Sequence, residues 1–512
     1  MNRMEVAMLV AVVGLSALAD EALTYEQFGA VGDGKADDRA AIVATHAEAN
    51  RRGLPVRATD GKTYYVGGGT ACAIVKTDVD FGKAKFVIDD RTPMDIRSPL
   101  FHLVPDAASF PVKGVAVLRK GQSRLSRPFA TPCLIHVTND RVKRYIRYGL
   151  NQNSGSAQQE TFLVDVEGRI DPAAPIIWDY DEITKMTAYP VDARRLSVKG
   201  GTFVTIANQG ESKYRYHDRG FRIERSNVRI SGMRHEVTGE LDHGAPYIGF
   251  LSLSHCANVV VTGCVFTAHR MYSTIGSAGK PVNMGSYDLA ANNSINLSFV
   301  DCLQTTDILD RRYWGIFASN YCKNLLYDGC EFSRFDAHMG VANVSIRNSR
   351  LGHMGINAIG FGKLTVENTT VLCRNFVNLR GDYGSTWNGE FLIRNCRFVP
   401  MGGKSPAVPV IVNGGYSGQH DFGYVCHMPR RIVIDGLGID DANHPEKYDG
   451  PQIFGSFNPR RKDASYVEKF PYVLTEEVVL KNVRTTSGLK PTIGPDRFMF
   501  KDVKVTGGGE SK

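Results

Sequence analysis

Helix-favouring runs are scarce in this chain of 512 residues, which argues against a helical bundle. Val6 to Leu18 is apolar but too short to cross a bilayer, and no later stretch qualifies, so no membrane span is expected. The ten cysteines include no Cys-x-x-Cys pair, which removes the usual zinc framework. No Lys/Arg-rich tract is present, so nucleic acid is not an expected partner. No two-residue Asn-Gly connection joins neighbouring strand-like segments, which counts against a β-sandwich or propeller.

What remains is a chain rich in glycine, with 52, and ordinary in hydrophobic content at 43%. That balance suits many short strands and turns. Arg3, the apolar stretch and Ala17-Leu18-Ala19 read as a cleavable signal peptide over residues 1–19, giving a secreted or periplasmic expectation. No cysteine lies near that cleavage site, so a lipoprotein is not expected. The net charge of +8 suits an anionic polysaccharide or oligosaccharide, although solubility alone accounts for it equally well.

From Leu196 onward one unit recurs: a short alternating strand, then Asn, Asp or Gly, a small residue, and an apolar anchor. Copies begin at Val228, Val259, Leu325, Val344, Leu364, Phe391, Ile432, Val478 and Phe498. The corner residue falls at 329, 348 and 368, and again at 482 and 502. That spacing is about one coil of a β-helix, with longer gaps marking loops. Asn at the corner suits left-handed backbone geometry, and stacked copies can form a hydrogen-bonded ladder. Cys264, Cys302, Cys330 and Cys396 share one place in the repeat and are expected to stack as buried thiols rather than pair. A chain of this length exceeds a typical compact domain, but a solenoid adds a slice of core with every coil.

The remaining organisation follows. Residues 20–100 form an N-terminal cap and first coils, with a helix from about Arg39 to Arg52 capped by Asp37-Asp38 and ended by Gly53. Ala40, Ile42 and Ala47 are expected on its apolar face. Residues 101–195 read as a β-rich insertion whose Arg141, Lys143, Arg144 and Arg147 make one part basic. Residues 196–512 form the main parallel β-helix. The segment Phe28-Gly-Ala-Val-Gly-Asp-Gly34, followed by Asp37-Asp38 and Ala40-Ala-Ile42, resembles the opening of pectate-lyase superfamily β-helices. The resemblance implies an all-β, right-handed parallel β-helix with a capping helix at its N-terminal end. It does not fix the reaction, since lyases, hydrolases and epimerases share that opening.

Equivalent positions in successive coils become spatial neighbours. Aligned on the apolar anchor, the coils place His269, Asp307, Arg334 with Asp336 and His338, His353, and Arg374 along one edge. Proton transfer needs such titratable groups held together. Weaker candidates for a cleft are the stretch Glu240 to Tyr247 with His243, then Tyr272, Lys280 and Asp288, Trp314 and Trp387, and a wall over Asn413–Tyr424. Calcium ligation by Asp301, Asp328 and Glu331 lacks a binding-loop pattern, so no cofactor or metal is expected.

Two further resemblances bear on chemistry. Leu351-Gly-His-Met-Gly-Ile-Asn-Ala-Ile-Gly-Phe-Gly362, which contains His353 and Asn357, is similar to the Gly-His-Gly segment of polygalacturonase-like hydrolases. That family's carboxylates are absent from the matching stretches Tyr313-Trp314-Gly315 and Ala337-His338, while its arginine has a counterpart in Leu379-Arg380-Gly381. Phe335-Asp336-Ala337-His338 resembles the Asp-Pro-His segment of alginate epimerases and related lyases, with Ala in place of Pro; the resemblance implies a catalytic His338. The expected chemistry is β-elimination on a uronate-containing glycan, with or without sulfate. Arg380 or Arg334 would neutralise the carboxylate, and His338 or His353 would take the C5 proton. Asp336 would tune the histidine, and Tyr313 or Tyr383 would protonate the leaving oxygen. Substrate contacts are expected from Arg334, His269, Tyr313, Trp314, His243, Asn357 and Asp382. Hydrolysis through Asp336, Asp382 or Asp288 is the near alternative. A C5 epimerase and a non-catalytic glycan-binding β-helix follow.

Overall fold

The computed structural model describes residues 22–401, 408–413, 418–455 and 457–507; the expected signal peptide lies outside them. The chain winds into a right-handed parallel β-helix whose coils pass in turn through three parallel sheets. The first sheet carries the repeat. It sets Leu196, Val228, Val259, Leu297, Leu325, Val344, Leu364, Phe391, Ile432, Val478 and Val505 in one continuous register, all of them buried in the core except Val505 of the last coil, which is exposed. The last expected copy is displaced: residues 498–502 turn, and the strand is Lys504–Thr506.

Asparagine does what the corners need. Asn227, Asn258, Asn296, Asn324 and Asn343 all take φ near +57°, between 56° and 59°, where side chains other than Asn are strained. Each Nδ2 from Asn258 to Asn343 donates to the Oδ1 of the asparagine one coil before, at 2.8–3.3 Å. A second ladder joins Asn368 to Asn348. Cys264, Cys302, Cys330 and Cys396 are buried and unpaired, as are the other cysteines apart from half-buried Cys72, which is also unpaired.

Helix Arg39–Arg52 closes the N-terminal end, with Gly53 in the left-handed region at φ +69°. Asp38 accepts from the Val31 and Gly32 amides and so ties the preceding loop to the helix start. The buried face is Ala41, Ile42, Thr45, His46 and Ala49, whereas Ala40 and Ala47 face outward. Alanine is apolar on any face, so these two gave no directional signal.

Between the third-sheet strand Phe101–Leu103 and the first-sheet strand Leu196–Ile206, the chain leaves to form a four-stranded antiparallel sheet. Its strands are Phe110–Pro111, Cys133–Arg144, Ser156–Val164 and Lys185–Pro190. Leu134 and Ala174 pack on Ala257 and Ile295 of the helix. A buried ion pair fixes the docking: Lys323 Nζ lies 2.7 Å from Glu160 Oε2. Glu160 also accepts from the Ile177 and Trp178 amides.

A second buried polar cluster occupies the corner between the second and third sheets. His235 Nδ1 is 2.7 Å from Asp288 Oδ1, and His269 bridges Asp288 at 3.4 Å and Glu240 at 3.3 Å. Asp288 is 0% exposed and His269 1%. His269 was an expected substrate contact; burial and these carboxylates make it a structural cation instead. Burial alone would lower its pKa, but the carboxylates of Asp288 and Glu240 outweigh that and hold it at about 9. Burial would raise Asp288, but His235 and His269 hold it at about 2.

Replacing Lys323 by Met strands a buried carboxylate and is expected to cost about 3–5 kcal/mol, read as a lower urea midpoint. The double variant Lys323→Met with Glu160→Gln recovers much of that loss. For the corner cluster, the raised His269 contributes stability fully below its ordinary 6.5 and loses it as pH rises through about 9. Asp288 contributes above 3.8 and loses its share as pH falls through about 2. The thermal midpoint is therefore expected to decline between pH 6.5 and 9, and His269→Asn to flatten that decline.

Candidate active site

Of the other groups gathered by the alignment, Arg334, Asp336 and His338 lie together on the third sheet. Within the strand Glu331–Arg347, Phe335 and Ala337 point into the core, so Arg334, Asp336 and His338 take the opposite face. Ser319 pairs with Ala337 and Asn320 with Met339, which leaves His338 as the extra residue of a bulge. Bulges re-aim a side chain. Here the bulge sets His338 into an asparagine file: Asn320 Nδ2 donates to Asn292 Oδ1 at 2.9 Å, so Asn320 Oδ1 accepts from His338 Nδ1 at 2.8 Å. The proton is thereby fixed on Nδ1, and Nε2 keeps its lone pair. Burial first, then the guanidinium groups of Arg380, Arg334 and Arg147, push the His338 pKa well below its ordinary value. The imidazole is a neutral base at neutral pH.

Three arginines and two aspartates surround it. Arg334 Nη2 contacts Asp336 Oδ2 at 2.7 Å, and its guanidinium lies 5.6 Å from the Trp314 ring. Gly315 has no side chain because a Cβ there would collide with the Arg334 stem. Among the described residues, Arg334 Nε and Nη1 and both Asp336 oxygens lack directed hydrogen bonds, as does Trp314 Nε1. Such buried orphans call for an explanation and cluster at functional sites. Asp336 is 0% exposed, and burial raises its pKa against the pull of Arg334 and Arg380.

Asp382 behaves oppositely. Burial works to raise it, but Arg380 and Arg147 overcome this and hold its carboxyl below the usual range. Arg380 reaches Asp382 at 2.7 and 3.2 Å, and Arg147 at 2.6 Å. Both guanidiniums cover the Tyr383 ring, at 5.3 and 5.4 Å, and Tyr383 meets the His338 ring edge-on at 5.3 Å. Arg147 comes from the insertion, where the Tyr148 amide also donates to the Asp382 carbonyl. This residue was one of a basic run with no assigned role. Its neighbours went elsewhere: Arg144 stacks on Trp178 and Arg141 pairs with Glu182 at the surface.

A groove of about 610 Å³ meets this cluster at Arg147, Asp382 and Trp314, and is otherwise lined by Tyr148 to Asn151, Ser273, Pro281 to Asn283 and Gly381. One wall is a hairpin, Ser273–Ile275 with Pro281–Asn283, grown from the loop between coils that holds Tyr272 and Lys280. Of the expected wall at Asn413–Tyr424, residues 414–417 lie outside the described residues. His420 Nε2 bonds the Ile146 carbonyl, and Tyr424 donates to the Tyr383 carbonyl.

Other expected site residues stand apart. His353 belongs to a different neighbourhood: its Nδ1 donates to the Ile308 carbonyl at 3.0 Å, near Asp310 and Arg311. Irregular register before Gly355 separates it from the His338 file. Asn357 is buried with both ends used, donating to Met354 O and accepting from Asn378. Tyr313 bridges to Arg270 and flanks Arg312. His243 is exposed on a loop where Glu240 accepts the Arg270 amide. Trp387 is core, donating to Gly362 O. Asp307 and Arg374 are exposed, and Asp307 caps the Leu309 amide. Asp328 and Glu331 form surface pairs with Arg347 and Arg350.

No family model matches the chain. Over 185 residues, 30% of the chain, it is 27% identical to the capsule KL64-specific depolymerase of Klebsiella phage P510, and that match covers 18% of the phage protein. The chain thus spans under a fifth of the length of the curated relative it matches. Among solved structures it is similar to the tailspike gp61 of Pseudomonas phage phi297, with TM-score 0.56 and 14% identity over 95% of this chain and 84% of that one. It is also similar to the tailspike gp49 of Pseudomonas phage LKA1, with TM-score 0.51 and 12% identity over 94% and 84%. These likenesses establish a parallel β-helix of the kind found in phage tailspikes, and nothing in them is particular to the pectate-lyase superfamily.

Proposed function

We propose that the chain is an exported enzyme that cleaves a uronate-containing polysaccharide by β-elimination, with His338 as base, at the groove lined by Arg147, Asp382 and Trp314. The observation that carries this reading is the charge count of the site. Arg147, Arg334 and Arg380 face Asp336 and Asp382 with His338 neutral, which leaves one positive charge uncompensated beside a free imidazole nitrogen. One substrate carboxylate balances it. The similarity to a capsule depolymerase and to tailspikes supports a polysaccharide as the partner.

In this mechanism Arg147 and Arg380 share the uronate carboxylate with Asp382 through charge-assisted bonds. Neutralising that carboxylate acidifies C5. His338 Nε2 takes the C5 proton, the C4–O4 bond breaks, and a C4=C5 double bond forms. Tyr383, whose pKa burial raises, stays protonated at neutral pH and returns a proton to O4. Asn320 positions the base, and Arg334 with Asp336 supports the site from beneath.

One observation favours a second reading. Asp336 and Asp382 are pushed in opposite directions, as the acid and the carboxylate of a glycoside hydrolase are. Asp336, however, has no exposed surface through which to reach a glycosidic oxygen.

The deciding measurement incubates the protein with a panel of acidic polysaccharides, including KL64 capsule, and follows ultraviolet absorbance and reducing ends together. Both should rise, and His338→Gln should lower the rate at least about 10²-fold. Reducing ends without absorbance would move the chemistry to Asp336 and Asp382. The rate should also be flat through neutral pH, because His338 titrates below its ordinary value, and fall only on the acid side as the imidazole protonates. A rate that instead drops on the acid side at or above pH 6.5 would be at odds with His338 as the base.

A further inference from the structure

Apolar side chains make up much of the groove lining. Leu150, Pro281, Val282 and the Trp314 indole share it with the charged Arg147 and Asp382 and the polar Asn151, Ser273 and Asn283. Large apolar residues are unusually exposed in and beside this groove. Tyr148 is 56% exposed, Leu150 51%, and Ile275, which pairs with Pro281 in the hairpin, 62%. A folded chain leaves such residues clustered at a surface when they meet a ligand.

The walls are held in place rather than left as loose tips. Ala278 N donates to Leu150 O at 3.2 Å, and Ser277 Oγ donates to Gln152 O at 2.9 Å, joining the hairpin to the segment that follows Arg147. Gly276 lies so close to Asn151 that a Cβ would collide with its side chain. The same segment is anchored at its other end, where the Ile146 amide donates to Phe422 O and the Tyr148 amide to Asp382 O. One short run of backbone therefore carries the carboxylate-binding arginine and the apolar wall together, fixing their separation.

We propose that this apolar part is a specificity subsite for the sugar next to the bound uronate, and that the sugar carries a methyl group, either of a 6-deoxy position or of an acyl ester. The proposal rests on the reading of the groove as a uronate site and adds the neighbour's chemistry. Leu150 and Val282 receive the methyl, and Trp314 underlies the ring. An unsubstituted, fully hydroxylated neighbour would leave the apolar faces of Leu150, Val282 and Pro281 without a matching group.

The test uses the full chain carrying His338→Gln, so that polymer is bound and not consumed, with and without Leu150→Ser and Val282→Ser. Both positions are wall residues at the groove surface, and an unchanged thermal midpoint verifies folding. The probes are the panel polysaccharides, each before and after mild alkali, which removes esters and spares 6-deoxy sugars. The double serine change should weaken binding of the untreated polymer about tenfold. Alkali should produce the same loss if the methyl is an ester, and no loss if it belongs to a deoxy sugar. Equal affinity with and without the serine changes overturns the subsite while leaving the uronate reading intact. No binding of any panel member by the chain with intact walls overturns the uronate reading, and this one with it.

Discussion

Lateral hydrogen bonding between coils, about 4.8 Å apart, sets what any side chain in this molecule can touch. Neighbours are decided by position within the coil and not by distance along the chain. Leu297 meets Leu325 after 28 residues, and Ile432 meets Val478 after 46, with the same geometry. The asparagine ladders enforce the register, since each amide must face the amide one coil below. A polar group in such a file is held from both sides. His338 inherits that rigidity because the bulge puts it where the file would otherwise continue.

The register cannot by itself build a walled groove, because a solenoid offers a nearly flat face. The walls come from excursions, and an excursion must be attached. The insertion is attached through a buried ion pair, which is weak evidence for stability but strong evidence for placement: Lys323 and Glu160 are each useless to the other a few ångströms away. With that contact made, the strand Cys133–Arg144 directs Tyr145 into the cluster with Tyr321, Ile359 and Tyr383, and Arg147 arrives on Asp382. Docking of a separate sheet thus completes the electrostatics of the site.

These two levels were unequally legible in the sequence. The repeat was readable because period-two burial and left-handed corners restrict residue types: Val, Leu or Ile inside, Asn or Gly at the turn. The grouping of Arg334, Asp336 and His338 was readable for the same reason, each following a corner on one strand, whereas Arg380 came from the resemblance to hydrolases and Asp382 and Tyr383 are its sequence neighbours. His353 misled because a register irregularity moved it to another neighbourhood. His269 misled because alignment gives position, and burial depended on Asp288 arriving from a long loop. Arg147 carried no signal beyond a basic run, since the pairing of Lys323 with Glu160 spans 163 residues and obeys no repeat. Asn320 was hidden by its type, being one corner-file asparagine among many.

The balance between elimination and hydrolysis turns on accessibility rather than on which residues are present. Both readings have the groups they need. Hydrolysis asks two carboxyl groups to flank a bond, and one of the pair, Asp336, is sealed beneath Arg334 and the sheet. Its raised pKa is what burial alone produces and so does not by itself mark a proton donor. Elimination asks for a neutral base beside concentrated positive charge, a combination that is costly to assemble because the cations also depress the base. The asparagine file resolves that conflict: by fixing the His338 proton on Nδ1, it leaves Nε2 as an acceptor beside three guanidiniums that only two carboxylates offset. In the proposed elimination, it is the substrate carboxylate that completes this arrangement.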